Sequence, residues 1–163
     1  MTFARKLRHR LTFMATMLLL TLSCPANCQS VLPPASDLAA DAIESKRTGA
    51  PLIVMLSLQG CPHCEVVRRS HLLPLLRDPT PVARPIVRQV EINGVALLRD
   101  FDGNTITHAE FAARQQFKPA PVVMFFGSKG VLLAKPLVGS MIPDFYGAYL
   151  DAALTESRAK LVP

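Results

Sequence analysis

The stretch "PLIVMLSLQGCPHCEVV", residues 51–67, decides how this chain is read. Its first part, "PLIVMLSL" (51–58), is a continuous apolar run of strand length. Such a run belongs to a central strand covered on both faces, because a half-exposed strand would alternate apolar and polar residues. Gly60 breaks the run. Pro62 then suits the first turn of a helix, where its missing N–H would find no partner anyway. Val66, Val67, Leu72, Leu73 and Leu76 follow at helical spacing, and Pro74 is expected to kink or split that helix. Cys61 and Cys64 therefore stand where a buried strand passes into a helix, the edge at which open α/β sheets carry their reactive groups.

Working outward, "SDLAADAIESKRTG" (36–49) reads as a helix capped by Ser36, with Leu38, Ala42 and Ile43 on one face and Gly49 at its end. "DPTPVARP" (78–85) is a loop, and "IVRQVEI" (86–92) alternates as a second strand. Residues 93–106 are irregular, with "FDGN" (101–104) as a turn. "THAEFAARQQF" opens with Thr107 and carries Glu110 three residues on, a capping box, and buries Phe111 and Ala112. "KPAPVVMFFGSKGVLLAKPLVGS" (118–140) places two apolar runs around "GSKG", a hairpin signal, with Pro121 directly before the first run. "IPDFYGAYLDAALTESRA" is a closing amphipathic helix with Phe145, Tyr149 and Ala152 or Ala153 inward. Alternating helices and strands ending in a hairpin predict an α/β fold, a central mixed sheet flanked by helices.

The chain has 163 residues, half of them hydrophobic, enough for one domain with its own core. Its formal charge of +6 owes much to Arg5, Lys6, Arg8 and Arg10, and no acidic residue precedes Asp37. The remainder is close to neutral and carries no basic stripe, which argues against nucleic-acid binding. After the basic start comes "LTFMATMLLLTL" (11–22), an apolar run too short for a comfortable membrane span, and then the small and polar "SCPANCQS". This is the layout of a secretory signal peptide over residues 1–28, cleaved near Ala26 or Cys28, ahead of a domain at 29–163. An uncleaved anchor and a lipoprotein anchor at Cys24 are the alternatives; "TLSC" resembles a lipobox, with Thr21 where Leu is usual. Each places the domain outside the cytoplasm, in the periplasm or secreted.

Four cysteines are present: Cys24, Cys28, Cys61 and Cys64. Loss of the leader leaves essentially one CxxC pair. A bridge closing so short a loop removes little chain entropy, so it is a poor staple. In an oxidising compartment chemistry explains the pair better. The rival readings are inert thiols and half of a zinc site. A zinc site needs about four ligands, and His71 and His108, read as surface residues, show no ligand spacing. No metal is expected.

These residues resemble a known family. "MLSLQGCPHC" at a strand-to-helix junction looks like the active site of the thioredoxin fold, and "FKPAPVVMFFGSKG" looks like its cis-proline segment. The likeness spans about residues 36–157. Within the superfamily it is most similar to secreted bacterial thioredoxin-like proteins of the SoxW kind, which carry a similar "FDG…T…FA…PxVVFF…G" middle. The resemblance implies a thiol–disulfide oxidoreductase with Cys61 as nucleophile and Cys64 as resolving cysteine. It makes Pro121 a cis-proline facing the disulfide, and Ala120 a presenter of backbone groups to a bound peptide. It also implies a reductase fed by a membrane electron donor and acting on protein disulfides, with no cofactor beyond the redox-active disulfide. No dimerisation region is evident, and a monomer is expected.

The chain departs from the family in two places. Gly60 stands where thioredoxins carry Trp, and Met55 stands where they bury an Asp. The Pro62–His63 dipeptide is that of the strongly oxidising DsbA-type enzymes, which favours an oxidase or isomerase as the alternative activity. The stretch from Cys64 to Pro121 is too short for the helical insertion of those enzymes. A non-catalytic thioredoxin-like binding module is the other competing class.

The chemistry suits the residues. Thiolates, not thiols, attack disulfides. At a helix N-terminus the unpaired N–H groups favour negative charge on Cys61, and His63 can add a donor or a positive charge. Cys64, one turn on and more buried, stays a thiol until needed. Glu65 could relay protons, although a solvated first-turn acid explains it better.

Overall fold

A computed structural model of the chain describes residues 31–77, 84–140 and 143–161. The expected signal peptide and most of the expected 78–85 loop lie outside the described residues.

Strand β1 (Leu52–Ser57) is buried at every residue. Its odd and even side chains enter different cores. Ile53 and Met55 join Val67, Leu72, Val123, Phe125 and Leu150 on one face, while Leu52, Val54 and Leu56 join Leu38, Phe111, Val122, Met124 and Phe126 on the other. Each such side chain removed from water contributes about 1.5–3 kcal/mol. That two-sided burial is why the stretch shows no alternation. β1 runs parallel to β2 (Ile86–Glu91), from Leu52 opposite Ile86 to Ser57 opposite Glu91. On its other side β1 pairs antiparallel with β5 (Val122–Phe126), which pairs antiparallel with β6 (Leu137–Val138). The sheet order is therefore β2-β1-β5-β6.

Helix α1 (Leu38–Thr48) precedes β1. Asp37 caps it, not Ser36, with Oδ1 accepting from the Ala40 N–H at 2.8 Å. Gly49 ends it in the left-handed region, φ 69°. Leu38 and Ala42 are buried as expected, but Ile43 is exposed and Ser45 is buried in its place. Ile43 stands five residues past Leu38, off the stripe that i, i+4 and i+7 define.

After β1 the chain forms α2 (Pro62–Val67), a π-helical stretch (Arg68–Leu72) and α3 (Leu73–Arg77). Pro74 neither ends nor splits this run. The wider π turn lies directly before it, where the absent N–H and the ring would otherwise disturb the regular ladder. Val66 is exposed, while Val67, Leu72 and Leu73 are buried.

The stretch from residue 93 to 107 contains a hairpin that periodicity does not reveal, β3 (Leu97–Arg99) against β4 (Thr105–Thr107). Asp100 closes it, with Oδ1 accepting from the N–H of Asp102 at 3.0 Å and of Asn104 at 2.8 Å, and Oδ2 accepting from Arg114 at 2.8 Å. Burial opposes the charge on Asp100, but the hydrogen bonds from Asn104, Arg114 and Asp102 outweigh it and hold the carboxyl below its usual pKa. Helix α4 (His108–Arg114) starts with the full Thr107–Glu110 capping box.

The hairpin expected around "GSKG" is present: Phe126 bridges Leu132 antiparallel directly across it, and the pairing resumes further out between β5 and β6. Two expectations are corrected. His108 is buried, not superficial: its Nε2–H donates to the Ala35 carbonyl at 2.8 Å and its Nδ1 accepts from the Glu91 N–H at 3.2 Å. The closing helix α5 (Pro143–Leu161) turns inward one residue away from the expected face. Tyr146, Leu150, Ala153, Leu154 and Ser157 are buried, while Phe145 and Tyr149 are 60% and 53% exposed. Both phases place an aromatic at i and a large side chain at i+4, so spacing alone cannot choose between them.

Candidate active site

The buried β1 ends at Ser57, and the chain turns through Leu58–Gly60 before α2 begins. The Cys61 N–H donates to the Leu58 carbonyl at 3.2 Å, which closes this turn. Gly60 takes a φ of +74° with open space around the position of a Cβ. The glycine is thus required by backbone conformation and not by crowding. Gly60→Ala is expected to lower stability by about 1 kcal/mol through left-handed strain alone, read as a shift of the urea midpoint with the slope unchanged.

Cys61 is the N-cap of α2, and its Sγ accepts from the Cys64 N–H at 3.1 Å. A disulfide joins Cys61 to Cys64. Cys61 is partly exposed, whereas Cys64 is fully buried within the core that holds Met55 and Val123. One sulfur is open to an incoming group and the other is shielded. That asymmetry is what a nucleophile and a resolving cysteine need. Pro62, at the first helical position, and His63 are both exposed.

The Ala120–Pro121 peptide bond is cis, and Pro121 is buried at the head of β5. The Gly139 N–H donates to the Pro121 carbonyl at 2.8 Å. Next along the chain, Ser140 Oγ lies 2.8 Å from His63 Nδ1. Ala120 and Cys61 pack on the core that contains Cys64. Residues far apart in the sequence, Cys61, Cys64, His63, Ala120 and Pro121, are thereby brought together, with Gly139 and Ser140 as the link. His63 was expected to serve the Cys61 sulfur; its Nδ1 pairs with Ser140.

With these contacts the architecture is complete: β1 between a parallel and an antiparallel neighbour, a disulfide at the start of the following helix, and a proline-led β5. The chain has the thioredoxin fold. Among solved structures it is similar to mitochondrial thioredoxin 3 of Saccharomyces cerevisiae in its oxidized form, at 15% identity and a TM-score of 0.49 over 79% of this chain and 98% of that one. It is also similar to a poplar thioredoxin h, at 18% identity and 0.47 over 71% and 86% of the two chains. A thioredoxin-fold protein of Helicobacter pylori matches at 14% identity and 0.47 over 83% and 92%. No family model and no curated protein matches the chain.

On the side of the disulfide formed by β1 and β2 lies a cavity of about 450 Å³, lined by Cys61, Glu65, Arg68, Gln89 and Glu91 among others. Sequence reading named only Glu65 and Cys61 from this set. Arg68 organises it: Nε donates to Gln89 Oε1 at 2.9 Å, Nη2 donates to Ser57 Oγ at 3.1 Å, and Nη1 pairs with Glu65. Arg69 also pairs with Glu65. Gln89 and Glu91 share a strand face with the buried Val87, but only the pairing of β2 with β1 brings them to Arg68. Among the described residues no group of three or more His, Cys, Asp or Glu side chains is arranged to hold a metal.

His71 is half-buried, its ring centroid 4.7 Å from that of the buried Tyr146. Burial depresses its pKa below the usual histidine value. The folded state therefore binds the proton less readily than the unfolded chain, and stability falls as pH drops through the unfolded value, about 6.5. His71→Phe is expected to lose less stability than the wild type between about pH 7 and pH 5, as measured by urea unfolding at each pH.

Proposed function

We propose that this chain is a periplasmic or secreted thiol–disulfide oxidoreductase that exchanges disulfides with protein substrates. The observation that carries the reading is the disulfide at the start of α2, with Cys61 partly exposed and Cys64 buried. In the reductive direction the Cys61 thiolate attacks a substrate disulfide, a mixed disulfide forms, and Cys64 displaces the reduced substrate. Ala120, which packs with Cys61 on the core that contains Cys64, and the cis Pro121 are proposed to present backbone to the substrate chain. The redox-active disulfide serves in place of a bound cofactor, and the protein acts as a monomer.

The thioredoxin-sized frame and the likeness to secreted SoxW-like proteins support a reductase recharged by a membrane electron donor. Pro62–His63 favours the second reading, a DsbA-type oxidase or isomerase. The shared claim, exchange at these two sulfurs, is tested first. A catalytic amount of the protein is expected to accelerate the reduction of insulin by dithiothreitol. Turbidity that develops no faster than in the uncatalysed mixture counts against both directions.

A further inference from the structure

The contact between His63 and Ser140 joins two segments of the candidate site that are 77 residues apart in sequence, with Ser140 Oγ 2.8 Å from His63 Nδ1. His63 stands in the first turn of α2, two residues after Cys61. Ser140 directly follows Gly139, whose N–H donates to the Pro121 carbonyl at 2.8 Å. A hydroxyl serves either state of the ring, donating to a bare Nδ1 or accepting from an Nδ1–H. The backbone at Ser140 is tied to the sheet, because Gly139 follows β6 and is bonded to the head of β5. The serine is thus the anchored partner, and the exposed histidine is the one held.

This contact bears on the Cys61 sulfur. Cys61 Sγ takes its hydrogen bond from the Cys64 N–H, at 3.1 Å. A second donor, or a positive charge, beside that sulfur would favour the thiolate, and with it the reduced protein. His63 is the neighbour able to supply one. Residues two apart in a helix point to different sides, so its ring must swing back across the first turn of α2 to reach the sulfur. With Nδ1 bound to Ser140, the ring is tethered toward the end of β6 instead.

We propose that Ser140 is a positioning residue that withholds His63 from Cys61 and so keeps the couple on the reducing side, an inference that rests on the exchange reaction proposed above. It reconciles the Pro62–His63 dipeptide, which favours an oxidase, with the thioredoxin-sized frame: the histidine is present, but its ring is engaged elsewhere. On reduction the Cys61–Cys64 bond takes up two electrons and breaks. Cys64 binds a proton, and Cys61 binds a second one or remains a thiolate. Two glutathione thiols supply the electrons and protons and become one glutathione disulfide. A donor that reaches the Cys61 thiolate pulls this equilibrium toward the reduced protein, and Ser140 removes one such donor.

The test reads the equilibrium constant of the protein against glutathione. Ser140→Ala is expected to favour the reduced protein about fivefold, the worth of one hydrogen bond. That is a rise in potential of about 20 mV, at about 30 mV per tenfold. Ser140→Thr keeps a hydroxyl and should stay at the wild-type value. The ultraviolet absorbance of the thiolate, read on reduced protein at mildly acidic pH, should grow in Ser140→Ala and not in Ser140→Thr. On a His63→Ala background, Ser140→Ala is expected to change neither reading, which separates action through the histidine from a local packing effect. An unchanged or lower potential in Ser140→Ala, or an equal rise on the His63→Ala background, would overturn the assignment. If the wild type shows no reversible couple with glutathione, the exchange reaction itself fails and this inference fails with it.

Discussion

Cys61→Ser abolishes catalysed insulin reduction, with the rate falling to that of dithiothreitol alone. A serine hydroxyl at the N-cap still accepts from the Cys64 N–H, so α2 keeps its start. What is lost is the thiolate. A hydroxyl is a far weaker nucleophile near neutral pH, and the remaining thiol at Cys64 is fully buried. The fold should change little, because a bridge across so few residues contributes little chain entropy. Far-UV circular dichroism and the urea midpoint check that the loss is chemical. Residual activity well above the uncatalysed rate would mean that another sulfur carries the exchange.

The largest loss of stability is expected away from the disulfide. Phe126, at the end of β5, packs in an aromatic group with Phe101 at 4.9 Å and Phe111 at 6.5 Å between ring centroids. Phe126 and Phe111 are both buried. Phe126→Ala removes a ring from a close-packed site that has little room to collapse, at a cost of about 3–5 kcal/mol. Typical domains have about 5–15 kcal/mol in all, so the variant should unfold at much lower urea. The ring lies in the core on the opposite face of β1 from Cys64. The redox behaviour of the protein that remains folded should therefore match the wild type. A loss below about 1 kcal/mol would show that the aromatic group is loosely packed.

The parts of this fold that sequence reveals are those whose local pattern and tertiary setting agree. The run 51–58 has one interpretation because a continuous apolar strand is stable only between two cores. Thr107–Glu110 has one because the reciprocal bonds of a capping box are local. The readings that failed concern phase. Ile43, Phe145 and Tyr149 belong to helices where more than one stripe of large side chains is available, and only docking onto the sheet selects among them. The β3–β4 hairpin stayed hidden because its strands are three residues each and Asp100 holds its turn, more than any apolar alternation does. His108 looked superficial because nothing local shows that Ala35 and Glu91 converge on it. Cys61, Cys64 and Pro121 were legible by motif. The polar wall of the cavity was not, since Arg68, Gln89 and Glu91 meet only once β2 lies beside β1.

The account stands or falls on whether the Cys61–Cys64 bond is a reversible redox couple. The direct measurement equilibrates the protein, starting at Gln29, in glutathione buffers of graded potential and counts free thiols after an acid quench. A single two-electron transition toward the thioredoxin end of the scale, about −270 mV, is the predicted result. A disulfide that never forms or never opens across that range would contradict the account and leave the CPHC motif without a redox role.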